Sequence, residues 1–156
     1  MVDMAKLISE LKMAHFETRR LLNDLDAVQG ANRELYPTWT VKELLAHLTG
    51  WDDACIATLR ALAGGTAPAT PASHGFDSFN AATVLAREAL PLQQVIQEWE
   101  ATRSEFLQVL QDLPEEKAES DFVYPWGPKG GLAGFVEIFV EHELEHAEEI
   151  RRKILR

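Results

Sequence analysis

The chain is poor in the features that narrow a function fastest. It has one cysteine in 156 residues, Cys55, so no disulfide can close within it and a reducing cytoplasmic setting fits. No apolar run approaches the roughly 20 residues of a membrane-spanning helix. The opening MVDMAKLISELK lacks a basic region followed by an apolar run, so it does not read as a secretory signal. Positive charge is scarce: 15 Lys and Arg face 25 Asp and Glu, a net charge of −10 that argues against a nucleic-acid phosphate binder. No alternating strand pattern occurs, and no Gly-rich phosphate loop.

What remains is helical periodicity over a 46% apolar composition, enough for one domain, residues 1–156, with its own core. Met4, Leu7, Leu11, Leu22 and Leu25 mark a first stripe, over about residues 3–28, ending near Gln29-Gly30. Thr40 and Glu43 form a capping box for a second helix, with Trp39 and Leu44 at the staple positions, and Gly64-Gly65 closes it. Residues 66–75, TAPATPASHG, read as a surface connection long enough for a crossover. A third helical region covers about Asp77–Leu113 and breaks at Leu90 before Pro91, with Trp99, Phe106, Leu107 and Leu110 as core candidates. The prolines and glycines between Pro114 and Gly131 impose a long loop, after which a last helix starts near Leu132. The fold class is therefore all-α, a four-helix bundle with a broken third helix and a long loop before the last.

The last stripe reads Leu132, Phe135, Phe139, His142, His146, Ile150. Two imidazoles thus stand where Phe or Leu would ordinarily be buried, four residues apart on one side of a helix. Burying them costs free energy unless their nitrogens are paired or metal-bound. The string HELEH matches the H-E-x-x-H of zinc peptidases, but that reading fails on geometry. No histidine follows His146, and Glu143 lies about 100° around the helix from His142, facing solvent or a neighbouring helix. Glu141, Glu145, Glu148 and Glu149 read as a charged outer face from which one carboxylate could orient a ligand histidine.

His47, beside the Leu44–Leu48 stripe of the second helix, is the candidate third ligand. If the two helices run the same way with level starts, all three rings fall within about two turns of one layer. Three histidines leave a coordination position open, the pattern of catalytic zinc; nickel or iron accepts the same nitrogens. His47 also reads as a half-buried polar residue near a helix start. His15, four after Leu11, reads as a satisfied core histidine or as a ligand or substrate contact. His74 reads as solvated and Cys55 as a buried, inert thiol. Trp51, Tyr124 and Trp126 are candidates for an apolar substrate pocket, or for ordinary packing. No residue is singled out as catalytic.

WTVKELLAHLTGWD (39–52) and EHELEHAEEIR (141–151) resemble the second and last helices of the DinB/YfiT-like superfamily. FDSFN (76–80) and the pattern from Pro91 to Leu113 are similar to its ClbS/DfsB-like branch. The resemblance implies a divalent metal ion on His47, His142 and His146, and often a homodimer. It implies diverse activities on small molecules: thiol-dependent transferases or isomerases with a low-molecular-weight thiol co-substrate, and a hydrolase that opens an electrophile. The expectation is a metal-dependent hydrolase or S-transferase of detoxification type, activating water or a thiol against a small electrophile. The alternatives are a non-catalytic bundle that binds a hydrophobic ligand or protein partner, and a hydrolase whose metal is dispensable.

Overall fold

The computed structural model describes residues 1–25 and 39–153. Its helices are α1 (Met4–Asn23), α2 (Val41–Gly64), α3 (Phe76–Leu85), α4 (Leu92–Gln111), the single turn α5 (Glu115–Ala118) and α6 (Leu132–Lys153). Local chemistry sets their ends. The Asp3 carboxylate accepts from the Lys6 amide at 3.0 Å and opens α1. Thr40 and Glu43 make the reciprocal capping box of α2, and Gly65, at φ 69°, closes that helix in the left-handed region. Pro91, with φ −70° and extended ψ, is the N-cap of α4. The expected end of the first helix near Gln29-Gly30 lies outside the described residues; α1 itself stops at Asn23.

Two expectations need correction. The third helical region breaks earlier than Leu90: α3 ends at Leu85, and residues 86–89 form turns. Those turns bring Arg87 to 3.1 Å from both Asp53 on α2 and Glu98 on α4. The chain also contains two strands, β1 (Phe122–Val123) and β2 (Lys129–Gly130), paired antiparallel with Phe122 opposite Gly130. Two residues each are too few to leave an alternating pattern in the sequence. The turn between them closes through Tyr124 N–H to Pro128 O at 2.9 Å and needs Gly127 at φ 113°.

Side-chain pairs give the helix directions. His15 meets Glu143 and Glu17 meets Arg151, so α1 and α6 run the same way. Asp52 meets Arg103 and Arg60 meets Glu105, so α2 and α4 also run together. His47 faces His142 while Trp51 faces Phe139, so α2 and α6 are antiparallel. The order is up-down-down-up, and the crossover joining α2 to α4 carries α3 against α2. Gly50 permits that seat: a Cβ there would collide with Thr83 Cγ2 of α3.

The apolar core falls into two clusters. One gathers Leu44, Leu45, Trp99 and Ile150; the other gathers Leu11, Trp51, Cys55, Phe106, Phe135 and Phe139. Between them runs a buried polar layer, one position per helix: His15 on α1, Asp52 on α2, Arg103 on α4 and Glu143 on α6. None of the described helices is long and apolar enough to cross a membrane.

Candidate metal centre and its cavity

His47, His142 and His146 meet across the α2–α6 face. Their ligand atoms all lie within 4.8 Å of one another. His142 Nε2 is 3.2 Å from His47 Nε2 and 2.9 Å from His146 Nε2. The meeting does not use parallel helices. Antiparallel packing sets the first turns of α2 beside the last turns of α6, and His47 and His146 stand at similar distances from those ends.

Three basic nitrogens without an acid between them make an unsettled group. Burial holds His47 down to about 2, with the His142 and His146 rings adding to the effect. Burial, then His146, holds His142 down to about 4. Burial also lowers His146, against the pull of Glu149. All three therefore offer lone pairs near neutral pH. Bonds of about 2.0–2.1 Å to one ion would hold neighbouring nitrogens roughly 2.8–3.4 Å apart at octahedral or tetrahedral angles. The two observed separations lie inside that window, so the residues fit a divalent cation. Glu149 Oε2 lies 3.3 Å from His146 Nδ1. A carboxylate only accepts, so Nδ1 carries the proton and Nε2 keeps its lone pair for the cluster.

The histidines form one wall of a cavity of about 580 Å³. Trp51, Trp126 and Phe139 also line it, with Trp51 6.1 Å from each of the other two, centroid to centroid. Asn80 Oδ1 accepts from Trp51 Nε1 at 2.8 Å and fixes that ring. Phe76 and Ile138 are exposed at the rim, with Glu145 and Glu149 on the α6 side. Trp39, the staple before α2, reaches in to 4.7 Å from the His47 ring.

Of the expected pocket residues, Trp51 and Trp126 line this cavity; Tyr124 and His15 do not. Tyr124 packs on Phe122 and Phe135 and donates its hydroxyl to Gly131 O at 2.7 Å, holding the hairpin to the start of α6. His15 stacks on Trp99 at 3.8 Å, on the far side of α6, with Nε2 3.3 Å from Glu100. His74 is exposed. Cys55 is buried, and burial, reinforced by Asp52, raises its thiol far above the ordinary value, leaving it inert.

Glu143 was not readable as part of a charged core. It is 1% exposed, and its Oε2 lies 2.6 Å from Arg103 Nη1. That contact is ionic, because the oxygen sits off the N–H direction. Arg103 also grips Asp52 in a two-pronged pair at 2.8 and 3.2 Å. Burial works to raise Glu143, but Arg103 and His15 outweigh it and hold the carboxyl below its usual value. Burial raises Asp52 against the pull of Arg103. Arg103 lowers both acids; Glu143 also has His15 beside it, whereas Asp52 is raised further by the Glu143 charge.

Residues 11–143 match the model of the mycothiol maleylpyruvate isomerase N-terminal domain. The chain belongs to that family. The family is part of the DinB/YfiT-like superfamily that the motifs of α2 and α6 resemble. His47 and His142 fall inside the matched span, and His146 lies three residues beyond it. Among solved structures, the mycothiol-dependent maleylpyruvate isomerase has the same fold, with a TM-score of 0.82 at 11% identity. A histidine-to-alanine mutant of that isomerase gives 0.80 at 11% identity. Each comparison covers 96% of this chain but 61% of the other, so the chain spans about three-fifths of the isomerase's length. No curated protein matches the sequence.

Proposed function

We propose that the protein is a metal-dependent enzyme that joins a low-molecular-weight thiol to the turnover of a small electrophile. His47, His142 and His146 would hold the ion. The observation that carries the reading is the convergence of three uncharged imidazoles, two buried and His142 half-buried, on one point of a cavity wall. The thiol follows from the family, whose name is that of a mycothiol-dependent isomerase domain. When bound, a divalent ion on three histidines supplies a lowered pKa to a thiol or water at an open position, giving a nucleophile near neutral pH.

The chain's own residues do the remaining work. Glu149 orients His146 by accepting from Nδ1. Trp51, Trp126 and Phe139 exclude water from the place where a nucleophile and an electrophile would meet. Asn80 keeps the Trp51 ring from swinging across the cavity. Glu143, the general base of the peptidase motif, is engaged with Arg103 in the core and plays no part at the metal side. A hydrolase using water at the same position is the second reading. Only the family's thiol dependence ranks it lower.

The test is metal content with matched kinetics. Untagged protein is expected to carry or take up about one equivalent of zinc, nickel or iron, and His142→Ala to lose it. Added thiol is expected to raise turnover of an electrophile panel in the loaded protein. Full activity with all three histidines replaced overturns the metal; thiol-independent turnover moves the protein to the hydrolases.

A further inference from the structure

The charge of the cavity restricts what enters it. Among the described residues that line it there is no lysine or arginine. Its ionisable members besides the histidines are the two carboxylates Glu145 and Glu149. Glu149 lies against His146, while Glu145 is exposed and pairs with no described cation. The nearest arginine of the crossover, Arg87, is engaged with Asp53 and Glu98, and Arg103 is buried with Asp52 and Glu143. A divalent ion on three neutral imidazoles adds two positive charges, and the two glutamates cancel them. Among the described residues nothing then remains to neutralise a doubly charged substrate beside an activated nucleophile. The other surfaces are faces of Trp51, Trp126, Phe139 and Phe76, which favour flat apolar groups and attract cations through their π electrons. A desolvated carboxylate against those faces would lack a partner.

We infer that the substrate of this site is an uncharged or cationic, flat apolar electrophile, and that dicarboxylates are excluded. This rests on the proposed function in taking the cavity as the substrate site. It departs from the structural neighbour, whose named substrate, maleylpyruvate, carries two carboxylates. Glu145, on α6 one residue before His146, is the specificity-determining residue: it sets a negative charge at the rim.

Three probes of one ring size test this: dimethyl phthalate, phthalate and phenyltrimethylammonium. Affinities are measured by calorimetry on the full chain after chelation, so that no open metal position can take a carboxylate. The diester and the cation are expected to bind at least tenfold more tightly than the dianion. Glu145→Lys is expected to raise phthalate affinity at least tenfold, leave the diester within about twofold and weaken the cation. Phthalate binding as tight as its diester overturns the inference, as does a Glu145→Lys protein with unchanged phthalate affinity. The same preference in a protein that takes up no zinc, nickel or iron sinks the proposed function and leaves the inference standing. A metal-dependent, thiol-stimulated enzyme that prefers the dianion does the reverse.

Discussion

Two buried polar clusters flank α6, and adjacent residues feed them. His142 turns to the cavity and joins His47 and His146; Glu143 turns to the core and joins Arg103, Asp52 and His15. The core cluster combines acids and bases, so its members answer each other's charge. The cavity cluster contains three groups of one kind, all pushed toward the neutral, lone-pair form. A buried group with matched charges is complete as it stands and ties helices together. A group of neutral imidazoles turned toward one point has no charge of its own to match, and its lone pairs are compatible with a cation. Being buried and polar does not separate site from scaffold; the composition of the cluster does.

The largest break in this contrast comes from the core side. Arg103→Met leaves Asp52 and Glu143 buried against each other and is expected to cost about 3–5 kcal/mol, read as a fall in thermal or denaturant midpoint. Adding Asp52→Leu and Glu143→Met should recover most of it. A single mutant within about 1 kcal/mol of wild type would mean that the layer is not a working ion network.

Acid should separate the clusters next. In metal-free protein, His47 and His142 titrate near 2 and 4, against about 6.5 when unfolded. Above pH 6.5 both states are neutral there and the histidines add no pH dependence. Below it the unfolded chain binds protons that the folded chain refuses, so stability falls as pH drops from 6.5 toward 4. The slope is up to about 1.4 kcal/mol per pH unit for each histidine. Glu143, held below its usual value, loses its own contribution only at lower pH, as its carboxyl protonates in the folded state. Urea midpoints at pH 7, 6 and 5 check this, and the metal-free His47→Phe/His142→Leu protein should show a flatter slope. An equally steep slope in that variant would place the acid sensitivity elsewhere.

The smallest effect lies in the contact between His146 and Glu149. Glu149→Gln is expected to weaken metal binding about tenfold while leaving metal-free stability within about 0.5 kcal/mol. Competition against a chromophoric chelator measures the first, and thermal unfolding the second. Unchanged affinity would show that the carboxylate does not orient His146.

Much of this was legible in the sequence because the signals were local. The Thr40–Glu43 box, Gly64-Gly65 and the Pro91 break act through the nearest turn, so a few residues announce them. His142 and His146 stood out because each displaces an expected Leu or Phe, and His47 because it lies beside the stripe of the second helix. What could not be read depended on partners far along the chain. Glu143 could be read only as facing solvent or a neighbouring helix, because Arg103, which makes its burial tolerable, lies 40 residues earlier on another helix. Phe76, Asn80 and Ile138 become one rim only through the seat of α3 on Gly50. The direction of α6 against α2 is set by the crossover, and no periodicity records it. For His15 and Tyr124 the structure takes the packing alternative over the pocket one, and a single sequence does not say which face of the bundle opens.

The order of the helices also permits an order of assembly. Asp52 and Arg103 lie on α2 and α4, and both are made before α6. Their pair can therefore close in a chain that still lacks His142, which joins His47 across 95 residues of sequence. Synthesis from the N-terminus then delivers the rest in a single event, because one turn of α6 carries Glu143 to the waiting arginine and His142 to the waiting histidine. Until that helix docks, no cavity exists in which stray cations or electrophiles could be trapped.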